Sequence, residues 1–112
     1  MSTEQTEAMM EHHSEALAAE VMDEAALDEL LSDYHEDAVF ISNLGGVVRG
    51  HDAIRAIFSS AGSLAGFEQT SKHVDGDTGY VTWKADGIPF GTDTFVLRDG
   101  KIAVQTVALH FS

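Results

Sequence analysis

The chain has 112 residues, 44% of them hydrophobic, with 19 acids against 6 Lys and Arg and a formal net charge of -13. That length suits one domain, and the charge argues against nucleic acid or an anionic membrane as partner, because both recruit positive charge. There is no cysteine, which excludes disulfides, thiolate metal sites and a cysteine nucleophile.

The charge is uneven. Residues 1–48 hold 12 acids and no Lys or Arg, whereas residues 49–112 hold 7 acids and 6 bases. A solvated acidic helix face accounts for the first half. The opening MSTEQTEAMMEHHSE has neither the basic start nor the apolar run of a secretory signal. No apolar stretch reaches the roughly 20 residues of a membrane helix. A cytoplasmic protein is expected, with residues 1–112 as a single domain and residues 1–8 as a disordered tail.

Taken in order, EAMMEHHSEALAAEVM puts Met9, Met10, His13, Leu17 and Val21 at helical spacing. DEAALDELLSDY continues with Leu27, Leu30, Leu31 and Tyr34 on one stripe, and Asp23 is a candidate N-cap for a second helix. DAVFISNL then switches to period two, with Phe40 and Ser42 on one face and Val39 and Ile41 on the other. A Gly-Gly turn and the short strand VVRG follow. HDAIRAIFSSAG predicts a third helix with Ile54, Ile57, Phe58 and Ala61 as its buried stripe and Gly62 as its end.

The remainder reads as four strands, GFEQTSKHV, GYVTWKA, GTDTFVLR and KIAVQTVALHF, separated by DGD, DG and DG. Asp99-Gly100 between Arg98 and Lys101 is the strongest two-residue hairpin signal. Pairing Arg98 with Lys101 places Leu97 opposite Ile102, Phe95 opposite Val104 and Asp93 opposite Thr106. The face shared by the two strands is then Asp93, Phe95, Leu97, Ile102, Val104, Thr106 and His110, provided that no bulge shifts the register. Asp93 is a carboxylate aimed into an apolar core.

Helices, a short strand pair, a helix and a long antiparallel meander make an α+β chain. LLSDYHEDAVFI, GVVRGHDAIRAIF and GTDTFVLRDGKIAVQT resemble the SnoaL-like, ketosteroid-isomerase-like branch of the nuclear-transport-factor-2-like superfamily, over residues 10–112. The resemblance implies a cystatin-like fold: a cone-shaped, curved sheet, mixed or antiparallel, wrapped on about three helices. It also implies an apolar pocket in the cone, a small apolar molecule as partner, and a homodimer through the open sheet face. Ketosteroid isomerases in this branch use a general-base Asp on the first strand, a Tyr on the first helix and an Asp on the penultimate strand. The first place falls here on Ser42, the second near Ala18, and the third on Asp93. One of three parts is kept, so the familiar isomerase machinery is not expected.

The expected catalytic residues are Asp93, as a buried acid of raised pKa that donates to a ligand oxygen, and His110, as a general base. His110 lies four residues beyond Thr106, so a direct bond to Asp93 needs curvature. Expected ligand contacts are Tyr34 at the pocket mouth, Phe40, Ser42, Ile54, Phe58, Trp83, Phe95 and Thr106. Large apolar residues in this set would equally fill a solid core. Adjacent His12 and His13 point about 100° apart on a helix, a poor chelate, and no metal is expected. Without a GxGxxG, P-loop or GxSxG pattern, no cofactor is expected either. Two functions stand: a pocket protein for an oxygen-bearing, cyclic molecule, running isomerisation, cyclisation or dehydration by proton transfer, or a non-catalytic dimeric module with a filled cone. A nuclear-transport-like partner module rests on the fold resemblance alone.

Overall fold

The computed structural model describes residues 2–18, 21–61 and 64–112. Among them, three helices and six strands follow in the order α1 (Thr3–Leu17), α2 (Glu24–Leu31), β1 (Tyr34–Ser42), β2 (Gly46–Arg49), α3 (His51–Ala61), β3 (Glu68–Asp75), β4 (Thr78–Ala85), β5 (Ile88–Arg98) and β6 (Lys101–His110).

The strands form one mixed, curved and unclosed sheet in the order β2-β1-β6-β5-β4-β3. Only β1 and β6 run parallel; the other neighbours are antiparallel. α1 lies over β3 and β4, α3 lies over β1 and β2, and α2 touches both of the other helices. The helices therefore cover the concave face from its two flanks. The middle, where β5 and β6 carry Asp93 and Val107, is left as a hollow.

Local chemistry sets these elements. Ser2 caps α1, and Gln5 returns the bond in a capping box. Thr3 and Thr6 tie that first turn to Gly76 in the β3–β4 turn, with Thr6 Oγ1 donating to the Gly76 carbonyl at 2.6 Å. Residues 3–8, expected as a disordered tail, are thus the start of a pinned helix. Further along, a Cβ on Gly79 would fall 2.5 Å from Met10 Sδ, so glycine permits the close seat of α1 on β4. α2 begins at its expected cap, where Asp23 accepts from the Ala26 N–H. Val21, expected on the α1 stripe, is 69% exposed beyond the helix. The Gly62 helix end lies outside the described residues.

Tyr34 was expected on the second helical stripe, but it opens β1. Along β1 the buried side chains are Tyr34, Ala38, Phe40 and, in part, Ser42, facing the helices. The core between sheet and helices also holds Leu27, Leu30 and Leu31 from α2, Ile54 and Phe58 from α3, and Phe95 and Leu97 from β5.

The β5–β6 hairpin turns at Asp99 and Gly100, with φ of 53° and 81°. Both are left-handed, as the two-residue turn requires. Arg98 pairs with Lys101 and Leu97 with Ile102, as expected. A bulge then intervenes: Val96 pairs with Val104, Phe95 with Gln105, Thr94 with Thr106 and Asp93 with Val107. One extra residue in β6 reverses the side chains that follow. Gln105, Val107 and Leu109 face inward. Val104, Thr106 and His110 turn to the outer face, against the expectation.

Candidate functional site

The hollow under the sheet is a cavity of about 1170 Å³. Its floor and walls are apolar: Phe40 from β1, Ile57 and Phe58 from α3, Val81 and Trp83 from β4, and Phe95 from β5. Leu44, Leu64, Phe67 and Phe111 line it and are also exposed, so the mouth is rimmed by apolar groups. Asn43 holds part of that rim by bonding both the N–H and the carbonyl of Leu109, at 3.1 and 2.9 Å.

Asp93 is the carboxyl in this wall. Trp83 Nε1 donates to its Oδ1 at 2.9 Å and Gln105 Nε2 donates to its Oδ2 at 3.0 Å. The Tyr34 hydroxyl donates in turn to Gln105 Oε1. With Oε1 taken by Tyr34, the Gln105 amide must present its NH2 to Asp93. Tyr34 is 1% exposed and Gln105 is likewise buried. The chain Tyr34–Gln105–Asp93–Trp83 crosses β1, β6, β5 and β4 over the concave face of the sheet.

Burial raises the Asp93 pKa to about 6, and the Trp83 and Gln105 hydrogen bonds pull the other way. Desolvation wins because two neutral donors replace only part of the water a carboxylate loses. Trp83 is placed by Gly91, its partner across the β4–β5 ladder. A Cβ on Gly91 would stand 2.5 Å from the indole ring, so only glycine lets the ring lie flat over β5.

His13 is a second polar group at the cavity. It is 2% exposed and meets Phe95, Tyr34 and Phe58 edge-on, with ring centroids 5.1, 5.6 and 6.2 Å away. Neither ring nitrogen has a hydrogen-bond partner among the described residues. Burial, helped by the charge of His12, lowers its pKa to about 3, so it is neutral at pH 7. Its neighbour His12 points away: Nδ1 meets Asp33 Oδ1 at 2.7 Å and Nε2 meets Glu29 at 2.8 Å, linking α1 to α2. The Asp33 hydrogen bond leads the causes that raise the His12 pKa.

The expected residues divide by place. Phe40, Ser42, Phe58, Trp83, Asp93 and Phe95 line the cavity together. Ile54 is fully buried behind it. Tyr34 sits at the bottom, behind Gln105, rather than at the mouth. His110 and Thr106 are carried to the outer face by the β6 bulge, and His110 is exposed there. The unbulged register puts Gln105 on the outer face, and the sequence offers His13 as a position of an apolar stripe and as a poor chelate with His12. No periodicity reveals a bulge. An unpartnered histidine on an apolar stripe was the one available signal for His13.

The family model of the SnoaL-like domain matches residues 14–105. The chain belongs to the SnoaL-like family. No curated protein sequence matches it. Among solved structures, an NTF-2 like protein of unknown function from Burkholderia xenovorans LB400 is similar at 22% identity, over 97% of this chain and 85% of the other, with a TM-score of 0.81. A SnoaL-like protein of unknown function from Burkholderia thailandensis E264 is 16% identical over 100% and 98% of the two chains, TM-score 0.76. A de novo designed protein with a curved β-sheet is 13% identical over 98% and 88%, TM-score 0.78. At these identities the likeness shows the SnoaL-like fold and no activity.

Proposed function

We propose that this SnoaL-like chain binds an apolar, oxygen-bearing molecule, cyclic in the simplest case, in the cavity under the sheet. Asp93 meets the ligand's polar group and carries the proton in an isomerisation, cyclisation or dehydration. The observation that supports this reading is a buried carboxyl, its pKa pushed up to about 6 by desolvation, in the wall of an apolar cavity of about 1170 Å³. Such a group takes and returns a proton close to neutral pH. When it donates to a ligand carbonyl, the developing oxyanion is stabilised and the neighbouring C–H becomes easier to ionise. His13, with a pKa near 3, is too weak a base for this work, and a serine such as Ser42 needs a base beside it. His110 lies on the outer face, so a water held in the cavity takes the C–H proton while Asp93 donates to the ligand oxygen.

One observation favours the non-catalytic alternative: both Asp93 oxygens already hold a protein donor, as in a structural acceptor. The test is the pH titration of the Asp93 carboxyl carbon by NMR, alone and with cyclic ketones and phenols. The expected result is a midpoint near 6 that moves when a ligand binds. An ordinary or low midpoint, unmoved by every ligand, would leave the structural role in its place.

The same reading includes a homodimer through the outer sheet face. Two cross-strand rows on that face, Val39–Val104–Val96 and Ile41–Thr106–Thr94, carry no charge, in a chain where 22% of residues are charged. Depletion of charge is what the centre of an interface requires.

A further inference from the structure

We infer that the cavity sorts ligands by charge, accepting apolar molecules with a protonated amine head and rejecting carboxylates of the same shape. The inference rests on the reading that the cavity binds small molecules, and it adds to the oxygen-bearing ligands a second class, met by the ionised form of Asp93. Of the described residues that line the cavity, Asp93 and His13 alone are ionisable. His13 is held neutral by burial and by the charge of His12. The remaining polar lining is neutral: three serines, Gln69 and Gln105.

No cation of the lining therefore balances Asp93. Its two donors are neutral N–H groups, and a carboxylate offers about four lone-pair sites, so acceptor capacity is left for a ligand. The bases that form ion pairs do so elsewhere: Arg55 with Glu24 and Asp28, Lys72 with Glu11, and Lys84 with Glu68. The wall from α1, β1 and the β1–β2 turn comes from the stretch that holds 12 acids and no Lys or Arg. The charge carried by the described lining thus has one sign. An ammonium hydrogen beside Asp93 makes a charge-assisted bond where water is scarce. A carboxylate there brings a second anion to a site that destabilises the first.

The test uses three ligands on one apolar cage: adamantan-1-amine, adamantan-1-ol and adamantane-1-carboxylate. Binding is followed by the fluorescence of Trp83, the only tryptophan, in about 0.15 M salt to screen exposed charges. The amine is expected to bind roughly 10-fold tighter than the alcohol and about 100-fold tighter than the carboxylate. Asp93→Asn should bring the amine down to the level of the alcohol. In the wild-type protein, whatever the variant's fold, the amine should lower the Asp93 midpoint in the carboxyl-carbon titration. An alcohol that binds as well as the amine, or an amine preference that survives in Asp93→Asn, overturns the inference and leaves the cavity reading standing. If none of the three binds, the cavity reading falls and this inference falls with it.

Discussion

Asp93 and His13 titrate in opposite senses under one roof. The folded Asp93 holds its proton up to about pH 6, against an ordinary value of 3.8. Between those values the native state binds the extra proton, so Asp93 makes stability fall as pH rises. His13 is the reverse: its folded pKa is about 3 against 6.5, so the unfolded state binds the extra proton and stability rises with pH. Each slope is about 1.4 kcal/mol per pH unit, and between roughly pH 4 and 6 these two cancel. Single variants should expose each one, read as the urea midpoint against pH. His13→Leu should grow more stable from pH 6 to 4. Asp93→Asn should lose stability over the same range. Matching profiles for the two variants would refute this opposition. At pH 7 His13→Leu should fold normally, since the ring it removes has no hydrogen-bond partner among the described residues to strand.

Between strands, the site depends on two backbone devices. The β6 bulge turns Gln105 inward to meet Asp93, and Gly91 clears the plane that Trp83 occupies. Gly91→Ala puts a methyl 2.5 Å from the indole, so the ring must move and its bond to Asp93 must break. Overpacking of this kind costs about 1–3 kcal/mol. The variant should lose a corresponding amount in urea unfolding, and its tryptophan emission should shift to the red as the indole is displaced. Unchanged emission and stability would mean that Trp83 is not seated on β5. At the opposite end of this hairpin, Asp99-Gly100 was fully legible, because the left-handed turn is a local demand that few residues meet.

For the whole molecule, the fold and the activity are separable. A designed chain 13% identical adopts the same curved-sheet architecture with a TM-score of 0.78, so this sheet curvature does not require this sequence. What a given chain does depends on the few polar groups in the hollow and on what covers the outer face. The proposed dimer puts Val104 and Thr94 at its centre. Val104→Lys and Thr94→Lys should yield a monomer in light scattering at micromolar concentration, because a buried unpaired charge costs several kcal/mol. A wild-type chain that is already monomeric there would remove the dimer.

The sequence by itself determined the class of each element, the faces of β1, the Asp99-Gly100 turn and the inward aim of Asp93. These follow from periodicity and turn chemistry, which act over a few neighbouring residues. Only the tertiary structure decided that Gln105 and not Thr106 meets Asp93, that Tyr34 lies at the bottom of the hollow, and that His110 leaves it. A single bulged residue reverses every side chain after it, and its position is set by pairing between strands. The same holds for the cavity. Phe40, Phe58 and Phe95 alternate identically whether they fill a core or wall a hollow, and the distance kept between α1, α3 and the sheet decides which.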